Sequence, residues 1–133
     1  MAGIFQKERV SFVKKTIFVI DDDILALQMI VGVLQSEGYE ALPFSEFEPL
    51  LQKAREKLPD LVVTDVVMPK VSGFEVCRRI KALFQPKTPP VIVMTGKLDA
   101  VDPIQARKMG ADDFVVKTTD MAVLAQAVRR ILP

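Results

Sequence analysis

The chain has no histidine, one cysteine and no appreciable excess of either charge, and each shortage removes a class of function. With no imidazole anywhere, Cys77 has no histidine to hold it as a thiolate, and a single cysteine cannot form an internal disulfide. Its place beside Phe74 and Ile80 on an apolar helical stripe makes it a small core residue, suited to a reducing compartment. Eighteen basic and seventeen acidic side chains leave +1, which gives no electrostatic reason to expect direct nucleic-acid binding or adsorption to a membrane. No run approaches the roughly 18 consecutive apolar residues that span a bilayer. The N-terminus also lacks the continuous apolar region of a signal peptide, so a cytoplasmic location is expected. Internal repeats and low-complexity tracts are missing too.

What the sequence does have is regular apolar spacing. At 133 residues, 50% hydrophobic and 26% charged, it suits one globular domain. Runs at 16–20, 61–64, 91–94 and 114–116 are short, rich in Val and Ile, and unalternated, as strands buried on both faces should be. A weaker run at 40–43 adds a fifth strand. Between the runs lie helical stripes: Ile24, Leu27, Ile30, Val31 and Leu34; then Phe47, Leu50, Leu51 and Ala54; then Phe74, Cys77, Ile80 and Phe84. Met121, Leu124, Ala125, Val128 and Ile131 repeat the pattern at the end.

Local punctuation agrees. Asp23, Ser45 and Ser72 are expected to cap helix starts, and Gly38 and Gly110 fall where helices should stop. Asp102 followed by Pro103 opens a short fourth helix ending near Met109. Five successive βα units imply right-handed crossovers and a parallel sheet covered on both faces. The predicted fold is therefore α/β, a flavodoxin-like, doubly wound (βα)5 three-layer sandwich with strand order 2-1-3-4-5. The domain covers residues 16–133. Residues 1–15 carry +3 and several apolar side chains, including Ile4, Phe5 and Phe12. They read as a partly ordered extension, with docking on the domain or on a partner as the alternative.

Five polar residues sit at or just past the ends of the apolar runs: Asp21, Asp22, Asp65, Thr95 and Lys117. In a parallel sheet those ends share one edge, so the five should meet around one crevice. Crowded carboxylates are costly unless a cation neutralises them, and a hard divalent ion does so. Mg2+ is the natural ion, with Mn2+ as a substitute; Asp22 and Asp65 suit direct ligation and Asp21 ligation through water. A carboxylate beside such an ion can attack phosphorus to give an acyl phosphate, and Asp65 is the residue so placed. Thr95 offers a hydroxyl to a phosphoryl oxygen, and Lys117 offers a positive charge to another oxygen or to Asp65. Singly, each has an ordinary explanation as a cap, a turn former or a solvated lysine. Together, in this order, they provide the positioning and charge neutralisation that phosphoryl transfer requires.

The segments FVIDDD, LVVTDVVMPKVSGFEVCRRIK, VIVMTG and GADDFVVK together resemble the receiver domain of two-component response regulators over residues 16–132. The resemblance implies a signalling domain, not an enzyme, with Asp65 as phosphoacceptor and Asp21 and Asp22 as the acidic metal pair. It also implies the Val67 main-chain carbonyl as a further metal ligand, Thr95 and Lys117 as phosphate-binding residues, and Phe114 as an aromatic switch. The implied donor is a histidine kinase or histidine phosphotransfer protein, necessarily another chain because this one has no histidine. The implied output is a changed affinity for a downstream protein at the face of the fourth helix, fifth strand and fifth helix, or a phosphorylation-dependent dimer.

Two departures from the family stand out. Thr118 occupies the position where proline usually follows the lysine through a cis bond; without proline that bond costs about 3–4 kcal/mol, so a trans bond is expected and the reach of Lys117 is left open. Val67 lacks a polar side chain and Lys97 is long and charged, so phosphate lifetime does not transfer from relatives. Two rival readings are a non-phosphorylated pseudo-receiver and a haloacid-dehalogenase-like phosphatase with a DxD pair at Asp21 and Asp23. The second leaves Asp65 without a role and has its later acids, Asp112 and Asp113, before the lysine instead of after it. With no output domain before Pro133, both a stand-alone receiver and part of a larger regulator fit.

Overall fold

The computed structural model describes residues 13–96, 103–118 and 120–133. The expectations for residues 1–12, Lys97 and Asp102 lie outside them. Five strands and five helices alternate: β1 (Thr16–Ile20), α1 (Ile24–Ser36), β2 (Glu40–Phe44), α2 (Phe47–Glu56), β3 (Leu61–Asp65), α3 (Gly73–Leu83), β4 (Val91–Thr95), α4 (Pro103–Lys108), β5 (Asp113–Val116) and α5 (Ala122–Ile131). The sheet is parallel throughout in the order β2-β1-β3-β4-β5, as the spacing of the apolar runs predicts.

The strands divide their side chains between two cores. Ile17, Val19, Leu61, Val63, Ile92 and Met94 face α1 and α5, where Leu27, Ile30, Leu34, Leu124 and Val128 meet them. Their neighbours Phe18, Ile20, Val62, Val91 and Val93 face α2 and α3, against Phe47, Leu50, Leu51, Val76, Cys77 and Ile80. Successive side chains in a strand point to opposite faces, so an unalternated apolar run fills both layers. Each large side chain buried in this way contributes about 1.5–3 kcal/mol.

The caps follow expectation at four of five described places, Gly110 among them, at φ +91° just past the end of α4 with its N–H on Arg107 O. The Asp23 carboxylate accepts from the Leu25 and Ala26 amides at 3.0 and 3.3 Å, and the Ser72 hydroxyl accepts from Glu75 N–H at 3.1 Å. Gly38, at φ +97°, lets Tyr39 N–H reach Leu34 O while its own N–H reaches Gln35 O, closing the end of α1. Ser45 does not cap: α2 starts one residue later, and Glu46 at its N-cap makes no side-chain cap bond. Met121 stands just before α5 with φ +58°, an uncommon backbone for a side chain with a Cβ, and it is held there by burial of that side chain.

At the N-terminal edge of the sheet two acids satisfy strand amides. Asp60 accepts from Thr16 N–H at 2.7 Å, and Asp112 accepts from Val91 N–H at 2.8 Å and from the Lys81 ammonium at 2.7 Å. Asp112 is thereby committed to holding β4 in place. No helix among the described residues is long and apolar enough to cross a membrane.

Cys77 is fully buried, and burial pushes its thiol up to about 11. Little thiolate is therefore present near neutral pH, and no reagent reaches it in the native fold. Reaction with a chromogenic disulfide at pH 8 is expected to follow global unfolding in urea. Rapid labelling of the native protein would show that the α3 layer opens far more readily than its packing implies.

Candidate functional site

The candidate residues gather at the C-terminal edge, over the point where β1 and β3 lie side by side while their connections run to opposite ends of the sheet. Open parallel sheets place their binding crevice at such a reversal. β3 and β4 each extend one residue beyond the apolar run that announces them, so Asp65 and Thr95 are the last residues of their strands. Asp21 and Asp22 begin the turn after β1, and Lys117 follows β5 directly.

One ammonium joins the ends of three strands. Lys117 Nζ lies 2.9 Å from Asp21 Oδ2 and 3.1 Å from Asp65 Oδ1. The other oxygen of Asp21 accepts from Asp23 N–H at 3.0 Å, so a carboxylate only 1% exposed has a protein partner on each oxygen. Lys117 is itself anchored through its backbone, whose N–H donates to Thr95 O at 2.7 Å. The Lys117–Thr118 peptide is trans, since the one cis bond among the described residues is Gln85–Pro86, and the ammonium reaches both acids nonetheless.

Asp21, Asp22 and Asp65 each bring a carboxylate oxygen within 4.8 Å of the other two. Asp22 is exposed where its two neighbours are buried, which leaves the cluster open on one side. Asp23 turns away to cap α1, so the Asp21–Asp23 pairing that a DxD reading needs is not formed. Thr95 is 2% exposed, while Phe114 is half-buried and packs against the α2–α3 core.

Residues 17–129 match the response regulator receiver domain. The chain belongs to this family. It is 34% identical over 119 residues to the transcriptional regulatory protein CreB of Escherichia coli, covering 90% of this chain and 51% of CreB. It is 33% identical over 116 residues to the DNA-binding response regulator MtrA of Mycobacterium tuberculosis, covering 87% of this chain and 50% of MtrA. The chain thus spans about half the length of the curated relatives it matches. Among solved structures it is similar to the chemotaxis response regulator CheY4 of Vibrio cholerae, with a TM-score of 0.80 and 26% identity over 90% of this chain and 99% of that one. It is also similar to the response regulator TrrA of Thermotoga maritima, solved in complex with Mg2+-BeF, with a TM-score of 0.77 and 30% identity over 88% and 98% of the two chains.

This receiver's acidic centre is electrostatically unbalanced. Burial raises the Asp65 carboxyl above its ordinary value, the Asp21 charge adds to the rise, and the Lys117 ammonium opposes it without cancelling it. Burial lowers the Lys117 ammonium, but its hydrogen bond to Asp21 and the charges of Asp21 and Asp65 outweigh that, and the net shift is upward. The lysine therefore stays charged, and the carboxylates still exceed it in number.

Two residues bearing on the site were not singled out from sequence. Gly73 opens α3 against the backbone of Asp65, and the buried Thr64 hydroxyl donates to Asp65 O at 3.0 Å. The available signal was a glycine directly after a serine cap, where a better helix former would ordinarily stand.

A raised carboxyl in the folded state means that ionised Asp65 works against folding at neutral pH. The penalty fades as pH falls through the folded pKa. In chelator, Asp65→Asn is expected to melt at a higher temperature than the parent at pH 7, with the difference shrinking towards pH 4. A lower melting temperature for the variant at pH 7 would mean that the Lys117 pair more than compensates the burial.

Proposed function

We propose that this receiver accepts a phosphoryl group on Asp65 from a separate histidine kinase or histidine phosphotransfer protein, and that the modification alters its protein contacts. The observation that carries the reading is the Lys117 ammonium 3.1 Å from Asp65 Oδ1 inside a three-carboxylate cluster at the reversal point of the sheet. The residues fit a divalent ion: three carboxylates within 4.8 Å face one ammonium, and one of them opens to solvent. Asp22, Asp65 and the main-chain carbonyl of Val67 would hold Mg2+, or Mn2+ in its place, directly. Asp21, with each oxygen already engaged, would act through water. When bound, the ion supplies neutralisation of charge on phosphoryl oxygens.

Asp65 attacks phosphorus as the carboxylate while the P–N bond of the donor's phosphohistidine breaks and its electron pair returns to the imidazole; Lys117 neutralises an oxygen of the arriving group, and Thr95 donates a hydroxyl to another. The acyl phosphate carries about −1.5 to −2 charges in place of the single negative charge of the Asp65 carboxylate, where carboxylates already exceed cations. Thr95 and Phe114 on adjacent strands then favour a second packing, and the face of α4, β5 and α5 meets a downstream protein or a second copy of the chain. The setting is the cytoplasm, where Cys77 stays reduced. MtrA is described as DNA-binding, but no nucleic-acid contact is assigned to this chain, which spans only half of MtrA.

Incubation with Mg2+ and acetyl phosphate, followed by intact-mass measurement, is expected to give one phosphoryl adduct that hydroxylamine removes. Asp65→Asn should give none. Labelling of that variant at the parental level would remove Asp65 as acceptor, and a parent unlabelled by both acetyl phosphate and a phosphorylated kinase would favour the pseudo-receiver. Thr95→Ala should retain the adduct and lose most of the phosphorylation-dependent change in partner affinity. Phe114→Ala should shift partner affinity in at least one phosphorylation state; identical affinities in both would exclude the ring from the switch.

A further inference from the structure

The backbone that carries Asp65 is held from three directions. Val66 N–H donates to Met94 O at 2.8 Å, tying the residue after the acceptor to β4. Val66 O accepts from Gly73 N–H at 2.8 Å, which closes the β3–α3 loop onto the first residue of α3. Asp65 O accepts from the Thr64 hydroxyl, a group fully buried beneath the sheet edge. These bonds fix the peptide plane between Asp65 and Val66, and that plane aims both the acceptor side chain and the loop bearing Val67.

Gly73 makes this closure sterically feasible. A Cβ built on it would overlap Asp65 O and would lie 2.9 Å from Asp65 C and 3.0 Å from Val66 Cα. All three atoms are backbone, so no flexible side chain can yield; relief must come from moving the end of β3 or the start of α3. The glycine sits in the helix, where its φ is ordinary, so close approach and not backbone freedom requires it.

We propose that Gly73, together with the Thr64 hydroxyl, is a positioning element for the Asp65 carboxylate and the β3–α3 loop, setting metal affinity and phosphoryl acceptance in addition to stability. The inference rests on the phosphoacceptor reading of Asp65, yet its metal-binding arm can be measured separately. Misplacing a reacting group by about 1 Å costs on the order of 100-fold in rate. Gly73→Ala must displace the acceptor backbone, or the start of α3 that closes its loop, by part of that distance.

Three quantities test the proposal: melting temperature, Mg2+ affinity by calorimetry, and the rate of adduct formation with acetyl phosphate. Gly73→Ala is expected to slow adduct formation by roughly 10- to 100-fold and to weaken Mg2+ binding. Leu34→Ala, a core truncation at the far end of α1, should lower the melting temperature while leaving rate and affinity at parental values. Thr64→Val should slow adduct formation and Thr64→Ser restore it, which keeps the test open if Gly73→Ala does not fold. Parental rate and Mg2+ affinity in folded Gly73→Ala would overturn the proposal, as would equal rates for Thr64→Val and Thr64→Ser. An unlabelled parent would instead count against the phosphoacceptor reading, and the Mg2+ affinities would still decide the positioning role.

Discussion

Asp21, Asp22 and Asp65 converge within 4.8 Å of one another with one ammonium between two of them, and much of the molecule can be understood as the support for that crowding. Like charges at such separations repel strongly when buried. The fold tolerates them because the ammonium is not a loose surface group. Its backbone is bonded to the end of β4, its side chain is only 19% exposed, and its charge lies against acids from the β1–α1 turn and β3. The sheet order makes this geometry available, since β1 and β3 are adjacent and β4 and β5 follow in sequence on one side. A strand order that separated β1 from β3 would leave Asp21 and Asp65 in different crevices.

The same chemistry serves a different end at the opposite edge of the sheet. Asp60 and Asp112 are also acids beside strand ends, yet each accepts from the first backbone amide of a strand, and Asp112 has a lysine of its own in Lys81. These are satisfied structural acids. The contrast shows that partners, and not acidity, separate the clustered carboxylates from a staple: Asp60 and Asp112 each take the first amide of a strand, whereas of the three clustered acids Asp21 alone is given a backbone amide bond, from Asp23 N–H. Beyond that one amide, the cluster meets the Lys117 ammonium and, on the metal-binding reading, a cation.

That asymmetry also explains what could be read from sequence. Strands buried on both faces require unbroken apolar runs, so β1, β3 and β4 were plainly legible; β2, half exposed at the sheet edge, was announced only by a weaker run, and polar residues at or just past the ends of the other four strands marked the edge that carries the acidic cluster. Ser45 misled because a serine before an apolar stripe resembles a cap wherever it occurs; the turn after β2 spends one more residue, and the cap position falls to Glu46. Gly73 and Thr64 were missed because their roles depend on a contact between the end of β3 and the start of α3, and periodicity within either element carries no trace of it. Thr118 shows that a family habit need not bind: the trans peptide after Lys117 still lets the ammonium reach two acids, because the lysine is placed by its own N–H on Thr95 O.

The Lys117–Thr95 backbone bond constrains how a change at Asp65 can travel. On the phosphoacceptor reading, an arriving phosphoryl group would draw on two donors, the Thr95 hydroxyl and the Lys117 ammonium, which belong to residues already joined at 2.7 Å. A pull on either is a pull on the ends of both β4 and β5. Phe114 lies on β5 opposite Val93, two residues before Thr95, with its ring only partly buried in the α2–α3 core. The aromatic side chain thus occupies the strand whose end the lysine fixes, and its incomplete burial leaves room for a second packing. On that reading, two discrete packings of one ring would be a cheaper response to an added anion than deformation of a sheet in which two of the three interior strands, β3 and β4, are buried at every position.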